Sequence, residues 1–370
     1  MQQFLARLFN LLMQGWSWVL LIISAVIIKW VSLYPDWVER NYTYGMYPVI
    51  SRIQRFLFGW IPFSIGDIFY GFLILVIIFK TYQFFLFLIR KKADKKYFIS
   101  GLQQIIFFFL FVYVFFNLFW GLNYNRNGIA TQLKLDVKRY SLNDLDSLAF
   151  FIQGKLNEYA LQVNETQRDS FDKKKNLFEE AHRCFVSAGQ QTPFLRYSSK
   201  SIKPSLFSHA GNYLGFQGYY NPFSGEGQVN TTIPRCLEPF VAIHEIAHQV
   251  GYAKENEANF VAFLAGKTYS SNIFRYSLYF NMYHYSISEL WKRDSMRAKG
   301  LRLQLHPQAV KDFAEVSKFF RKYRNPVESV INWIYGHYLK ANNQPGGKGS
   351  YNEVVALLIA YYKKYGWDVL

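Results

Sequence analysis

The chain has 370 residues, of which 42 are Lys or Arg and 25 are Asp or Glu, so its net charge at pH 7 is +17. This length allows two or three domains, and the charge favours anionic partners such as lipid headgroups. We find no basic and aromatic nucleic-acid-reading module, and therefore expect no nucleic-acid partner. The two cysteines, Cys184 and Cys236, form no C-x-x-C pair, which excludes a zinc ribbon or thioredoxin-type site and leaves a disulfide open.

The first 124 residues contain three long apolar runs, at about residues 8–30, 66–88 and 99–121. Each run is long enough to span a bilayer as a helix. No small-residue cleavage site follows the first run, so we interpret it as an uncleaved anchor. Residues 36–60 are predicted to form a loop whose tryptophans and tyrosines suit the membrane interface.

A short basic segment, residues 90–96, separates the second and third runs. The positive-inside rule places this segment in the cytoplasm. Counting the spans from it places residues 125–370 on the opposite side. The sequence therefore predicts a multi-pass protein of a bacterial inner membrane, with a membrane domain at 1–124 and an extracytoplasmic domain at 125–370.

Residues 125–370 have an ordinary globular composition and a mostly helical periodicity. Helices are predicted at about 141–163, 166–189, 254–270, 272–296, 307–323, 326–342 and 350–365. Residues 342–349 are predicted to form a loop. Residues 211–234 are rich in Gly, Asn, Pro and aromatics, which predicts a strand, a turn and a second strand. The expected fold class is mainly α, with transmembrane helices followed by a mostly helical α+β domain that contains a small hairpin.

An H-E-x-x-H motif, His244 to His248, lies inside an apolar helical pattern. Histidines four residues apart share a helix face, with about 5–6 Å between their Cβ atoms, so both imidazoles can reach one zinc ion. Glu245 lies about a quarter-turn from His244, where its carboxylate can reach a zinc-bound water without occupying the metal. A general base requires this position.

A catalytic zinc needs a third protein ligand and an open coordination position. Gly251 is predicted to end the first helix in the left-handed conformation, and a second helix begins near Glu255. Glu255 and Asn259 share a face, so we predict Glu255 as the third ligand, with Asn259 hydrogen-bonding a ligand. Glu257 is the alternative, although it lies roughly 200° round the helix from Glu255.

These residues resemble the gluzincin metallopeptidases, in which H-E-x-x-H is followed by a helix bearing E-x-x-x-D or E-x-x-x-N. The likeness covers residues 235–270, and the interval between His248 and Glu255 is shorter than in most gluzincins. Lys254 stands where metzincins have a third histidine, which excludes that class. The whole chain, with spans first and YYNPFSGEGQVN before the zinc helix, resembles an uncharacterised bacterial family of membrane-anchored proteins interpreted as zinc peptidases.

The resemblance implies a zincin-like domain and a zinc-dependent metallopeptidase acting on peptide or protein substrates. It also implies that residues 227–232 form an edge strand that pairs with substrate, unless the hairpin simply packs on the helix. The alternatives are a zinc-stabilised envelope scaffold or sensor, and a zinc hydrolase of a non-peptide amide. Zinc peptidases usually add a donor to the oxyanion. The eligible residues are Tyr220, His284, Tyr285, His337 and Tyr351.

Overall fold

The structure, a computed structural model, describes residues 15–137, 139–171, 173–342 and 351–370. In these residues it is mainly helical with one small sheet, which confirms the coarse fold class. The part of the first predicted span before residue 15 and the predicted loop at 343–349 lie outside the described residues.

Two helices near the N-terminus are long and apolar enough to cross a membrane, in agreement with the predicted anchoring. The first described helix is α1 (Gly15–Val31), and the two membrane-length helices are α4 (Ile65–Ile89) and α5 (Lys95–Phe119). Helix α1 and the helical segment Pro35–Phe58 meet at a bend of 105°, and they add a third span if they count as one. Trp18 packs edge-on against Phe107 with 5.2 Å between ring centroids, so α1 lies along α5.

The prediction of a loop over residues 36–60 is wrong, because this segment is helical. It consists of α2 (Pro35–Trp37), a π-helix (Val38–Met46) and α3 (Tyr47–Phe58). The buried Tyr42 hydroxyl donates to the Leu118 carbonyl at 3.0 Å, and the buried Tyr47 hydroxyl donates to the Gln249 carbonyl at 2.9 Å. The aromatic residues assigned to a membrane interface therefore partly pack inside the protein, through contacts that the local sequence does not reveal.

The remaining helices form the C-terminal part of the molecule. They are α6 (Ile129–Gln132), α7 (Leu142–Gln162), α8 (Glu165–Asp169), α9 (Lys174–Gln191), α10 (Ser208–Leu214), α11 (Glu238–Gln249), α12 (Glu255–Gly266), α13 (Asn272–Arg293), α14 (Ser295–Leu303), α15 (Pro307–Tyr323), α16 (Pro326–Ala341) and α17 (Tyr351–Tyr365). Short 3₁₀ turns occur at Gly121–Asn125, Pro193–Leu195 and Trp367–Val369. The predicted helix 272–296 ends early because the Asp294 side chain accepts from the Met296 and Arg297 amides and so begins α14. Cys184 and Cys236 are separate buried thiols.

The sheet has three strands in the order β1-β3-β2, where β1 is Ile202–Pro204, β2 is Gly218–Asn221 and β3 is Glu226–Val229. Strand β3 pairs with β1 in parallel and with β2 in antiparallel orientation. The predicted hairpin is present, although its expected first residues form α10. The expectation that residues 227–232 form an edge strand is wrong, because β3 is central. The edge next to α11 belongs to β2.

The N-terminus of α4 is attached to this sheet. The buried Glu226 carboxylate accepts from the amides of Ile65 at 3.3 Å and Gly66 at 2.6 Å, and Lys203 forms an ion pair with it. In the same turn, the Asp67 carboxylate accepts from the Leu206 amide at 2.7 Å. A carboxylate at a helix N-terminus satisfies amides that have no partner within the helix. The second span is therefore fixed to the strand that lies beside the H-E-x-x-H helix.

We expect Gly66→Ala to destabilise the protein, because an added Cβ would lie 2.5 Å from Asn221 Nδ2 and 2.8 Å from Gln228 Nε2. Overpacking of this kind costs about 1–3 kcal/mol. The measurement is the melting temperature in detergent micelles. Gly101→Ala on α5 is the matched control, because no atom of the described residues, apart from the neighbouring backbone of its own helix, lies within 4 Å of its added Cβ. Equal melting of the two variants would show that α4 is not docked on the sheet.

Candidate metal centre

The H-E-x-x-H motif lies on α11, and every residue of this helix except His244 is buried. The apolar residues Phe240, Ile243 and Ile246 pack into the core of the C-terminal part. Their burial fixes the rotation of the helix, so that the face carrying the two histidines borders a cleft. The predicted helix is therefore present, and it is enclosed on nearly all sides.

Gly251 terminates the helix as predicted, because it follows the last helical residue, Gln249, by two positions and has φ of 94°. The Gly251 amide donates to the His248 carbonyl at 3.0 Å, and the Tyr252 amide donates to the Ala247 carbonyl at 3.2 Å, which together form a Schellman motif. This turn brings the Tyr252 carbonyl to 2.7 Å from His248 Nδ1. With Nδ1 donating there, His248 Nε2 is the atom with a lone pair for a metal.

Glu255 joins the two histidines. One of its oxygens, Oε2, lies 3.3 Å from His244 Nε2, and the other, Oε1, lies 3.8 Å from His248 Nε2. One ligand atom from each of the three residues lies within 4.8 Å of the others. The two imidazoles hold the pKa of Glu255 well below its usual range, although burial opposes this shift. The structure therefore brings together the three residues predicted as ligands.

The alternative ligand, Glu257, lies elsewhere. Its buried carboxylate is 3.9 Å from Lys254 Nζ and packs against Gly128, where an added Cβ would collide with it. Gly128 has φ of 87° and is tolerated there because it carries no side chain. Glu257 is absent from the cluster that contains His244, as expected from its position round the helix.

The cluster fits a zinc ion by the chemistry of its donors. Two imidazole nitrogens and one carboxylate oxygen form a common donor set of catalytic zinc sites. Ligand atoms at 2.0–2.1 Å from a tetrahedral ion are about 3.3 Å apart, and one ligand atom from each of the three residues lies within 4.8 Å of the others. The side chains would therefore have to close on the ion to hold it.

Glu245 lies beside this cluster and is only 2% exposed. Among the described residues, its Oε2 atom has no hydrogen-bond partner. The sheet approaches it at two glycines, because an added Cβ on Gly218 would collide with Oε1 and one on Gly227 would lie 3.0 Å from its Cβ. Burial raises the pKa of Glu245 to about 8. A buried carboxyl group with such a pKa exchanges a proton readily near neutral pH.

The cleft in front of the cluster has a volume of about 500 Å³. It is lined by Glu245 and the three candidate ligands, by β2, and by aromatic residues from distant parts of the chain, namely Tyr70, Phe116, Trp120, Tyr124, Tyr285, Tyr335 and Tyr338. Asn259 also lines it, and accepts from the Tyr285 hydroxyl at 3.4 Å. The Trp120 indole donates to the His248 carbonyl at 3.1 Å, so a residue from the end of α5 supports α11.

Of the donors proposed from sequence, Tyr220 and Tyr285 line the cleft, whereas His284 and His337 do not. The side chain of Tyr351 lies outside the described residues. Sequence reasoning missed Tyr335, whose hydroxyl donates to Glu255 Oε1 at 2.6 Å. Burial and the Glu255 carboxylate raise the pKa of Tyr335 well above its usual range, which keeps it a donor. Tyr335 is 80 residues from Glu255 in the chain, and no local pattern indicates it.

Comparison with known proteins identifies a family. The family described as "Protein of unknown function (DUF3810)" matches residues 42–359, which include both membrane-length helices and the whole cluster. No curated protein and no solved structure matches the chain. Because the match covers most of its length, the chain belongs to the DUF3810 family.

Proposed function

We propose that this protein is a membrane-anchored zinc metallopeptidase whose C-terminal part forms the catalytic domain. The observation that carries the proposal is the convergence of His244, His248 and Glu255 at one wall of an open cleft, with Glu245 buried beside them. A structural zinc would not require a further buried carboxylate whose Oε2 atom has no hydrogen-bond partner among the described residues. The arrangement therefore favours a hydrolase over a zinc-stabilised scaffold.

His244, His248 and Glu255 would hold the ion. Zinc, when bound, acidifies water and polarises a carbonyl group. Glu245 takes a proton from the attacking water and passes it to the nitrogen of the leaving amine. The free edge of β2 borders the cleft, where its backbone groups can pair with an extended peptide. The hydroxyl groups of Tyr285 and Tyr335 lie on the wall that carries Glu255, where they donate to Asn259 and to Glu255.

Two observations on the membrane-length helices support the proposed orientation in the membrane. The N-terminus of α4 and the C-terminus of α5 both contact the C-terminal part, through Glu226 and through Trp120. The basic residues 90–96 lie at the opposite ends of these helices. The positive-inside rule places this basic segment in the cytoplasm, which supports an extracytoplasmic catalytic domain in a bacterial inner membrane.

Digestion of a peptide library by the purified full-length protein tests the proposal. We expect cleavage at defined peptide bonds, one zinc per chain, loss of cleavage after chelation and recovery on addition of zinc, because the ligands act only through the ion. Mass spectrometry of the products and elemental analysis of the same preparation are the measurements. A zinc-loaded protein that cleaves no library peptide, or cleavage that survives complete chelation, would contradict the proposal.

A further inference from the structure

Helix α16 has an outward face that is mostly apolar, with the exposed His337 against Trp333 as its polar member. Val327, Val330, Trp333 and Ile334 are each more than half exposed, and they recur at helical spacing along one side. The opposite side carries Tyr335, which binds Glu255, and the buried Leu339. A surface helix of a water-soluble protein shows the reverse distribution, with polar residues outward. A contiguous exposed apolar stripe marks a surface that contacts a membrane, a ligand or another protein.

The position of α16 indicates what covers this stripe. Tyr338 packs edge-on against Phe116, with 6.3 Å between ring centroids, and Phe116 is in the last turn of α5. The end of a transmembrane helix lies at the membrane surface, so α16 is at the level of the lipid headgroups. A helix with Trp and branched aliphatic residues on one face is typical of helices that lie in the bilayer interface.

A second segment, residues 206–207, also lies at the level where the membrane-length helices meet the C-terminal part of the protein. Leu206 is 54% exposed, and its amide donates to Asp67 in the first turn of α4. The next residue, Phe207, approaches Gly71 one turn further along α4, where an added Cβ would lie 3.7 Å from the ring. The segment before α10 therefore meets α4 at the membrane end of the cleft, as α16 meets α5.

The cleft itself is bounded by the membrane helices. Tyr70 of α4 and Phe116 of α5 line it, together with Tyr335 and Tyr338 of α16. Within the described part of the chain, no residue of α4 beyond Asp67 is buried. Apolar surface thus continues from the bilayer along α4 to Tyr70 at the cleft. A polypeptide that leaves the bilayer beside α4 would emerge at the cleft that Tyr70 and the candidate ligands line.

We propose that α16 lies in the bilayer interface and that the cleft takes its substrate from the membrane plane. The substrate class is a polypeptide anchored in the same bilayer by a transmembrane helix, cleaved close to the membrane surface. The assigned substrate class rests on the proposed peptidase function. The position of α16 in the bilayer interface, called its seating below, does not depend on catalysis.

The seating is tested with an environment-sensitive fluorophore on Val330→Cys in the full-length protein in liposomes. The native cysteines are buried, at 0% and 4% exposure, so labelling of the folded protein is selective. We expect blue-shifted emission and quenching by nitroxide lipids. The matched control is Val310→Cys on α15, which is 49% exposed and should show the emission of a probe in water. Identical water-like emission at both positions would overturn the seating.

The substrate class is tested with one cleavable sequence in three forms. It is fused to a transmembrane helix through a spacer of about 3 or about 30 residues in the same liposomes, or it is supplied as a soluble peptide. Both fusions are anchored in the bilayer, but the short spacer holds the cleavable sequence near the membrane surface and so raises its local concentration at the cleft. We therefore expect the short-spacer form to be cleaved about tenfold faster than the other two forms. Val330→Asp should reduce this preference without changing cleavage of the soluble peptide, and Val310→Asp should change neither.

The outcomes separate the two proposals. Glu245-dependent cleavage of all three forms at equal rates would overturn the membrane substrate and leave the peptidase function intact. No Glu245-dependent cleavage of any form would overturn the peptidase function, and with it the substrate assignment, while the fluorescence of residue 330 would still report the seating of α16.

Discussion

Replacement of Glu245 by Gln is expected to leave zinc bound and to lower the rate of peptide hydrolysis by ~10²–10⁴-fold. The amide keeps the shape of the carboxylate in its pocket against Gly218 and Gly227, but it cannot accept the proton of the attacking water. Glu245 is not among the three residues whose ligand atoms converge. The affinity for zinc should therefore change little, and the loss should appear in kcat.

Zinc content and kcat must be measured on the same preparation, because partial loss of metal would resemble a catalytic defect. Glu238→Gln is the matched control, since Glu238 is buried on the same helix but does not line the cleft. Its carboxylate forms an ion pair with Lys174, with 2.7 Å between Oε2 and Nζ. It should lower the melting temperature and leave kcat nearly unchanged. A zinc-depleted Glu245→Gln would make Glu245 a ligand. Cells that carry Glu245→Gln and have the same phenotype as cells with the wild-type protein would favour a scaffold function.

Replacement of Glu255 by Ala is expected to remove zinc and activity together, whereas Glu257→Ala should retain zinc. Loss of a residue that only orients a metal ligand lowers affinity by about 10–100-fold, so loss of a ligand should exceed this. Glu255→Ala removes the oxygens at 3.3 and 3.8 Å from the two histidines, and it also leaves the Tyr335 hydroxyl without this acceptor. Glu257 contacts Lys254 and Gly128 instead.

Competition with a chromophoric zinc chelator measures both affinities on folded protein. Glu257→Ala is expected to be less stable than wild type, because a buried carboxylate is replaced by a smaller apolar side chain, and it should still bind one zinc. Full zinc affinity in Glu255→Ala with loss in Glu257→Ala would reverse the assignment of the third ligand. If neither variant loses zinc affinity, neither glutamate is the third zinc ligand.

The local features of the candidate site followed from the sequence. Four-residue spacing on an apolar helix predicted that His244 and His248 share a face, and a glycine after the last apolar position predicted the turn at Gly251. Helix periodicity also favoured Glu255 over Glu257, and the structure has Glu255 beside the histidines. These features depend on interactions within one or two turns of helix, which short-range spacing describes.

Sequence spacing could not predict the features that depend on contacts between residues far apart in the chain. The local pattern over residues 36–60 suggested a loop, but Tyr47 is buried against the end of α11, and the segment is helical. The hairpin was predicted, yet its order in the sheet was not, because β1 pairs with β3 across intervening residues and makes β3 central. Pairing of strands is set by tertiary packing as well as by local propensity.

The sequence by itself determined that this chain has apolar helices of membrane length and one H-E-x-x-H helix followed by a glutamate helix, because both are periodic patterns of neighbouring residues. Only the tertiary structure decided where they meet. It joins α4 to the sheet through Glu226, places Trp120 against α11 and brings Tyr335 to Glu255 across 80 residues. The cleft lies at the ends of the membrane helices because long-range packing, which no local spacing encodes, brings these elements together.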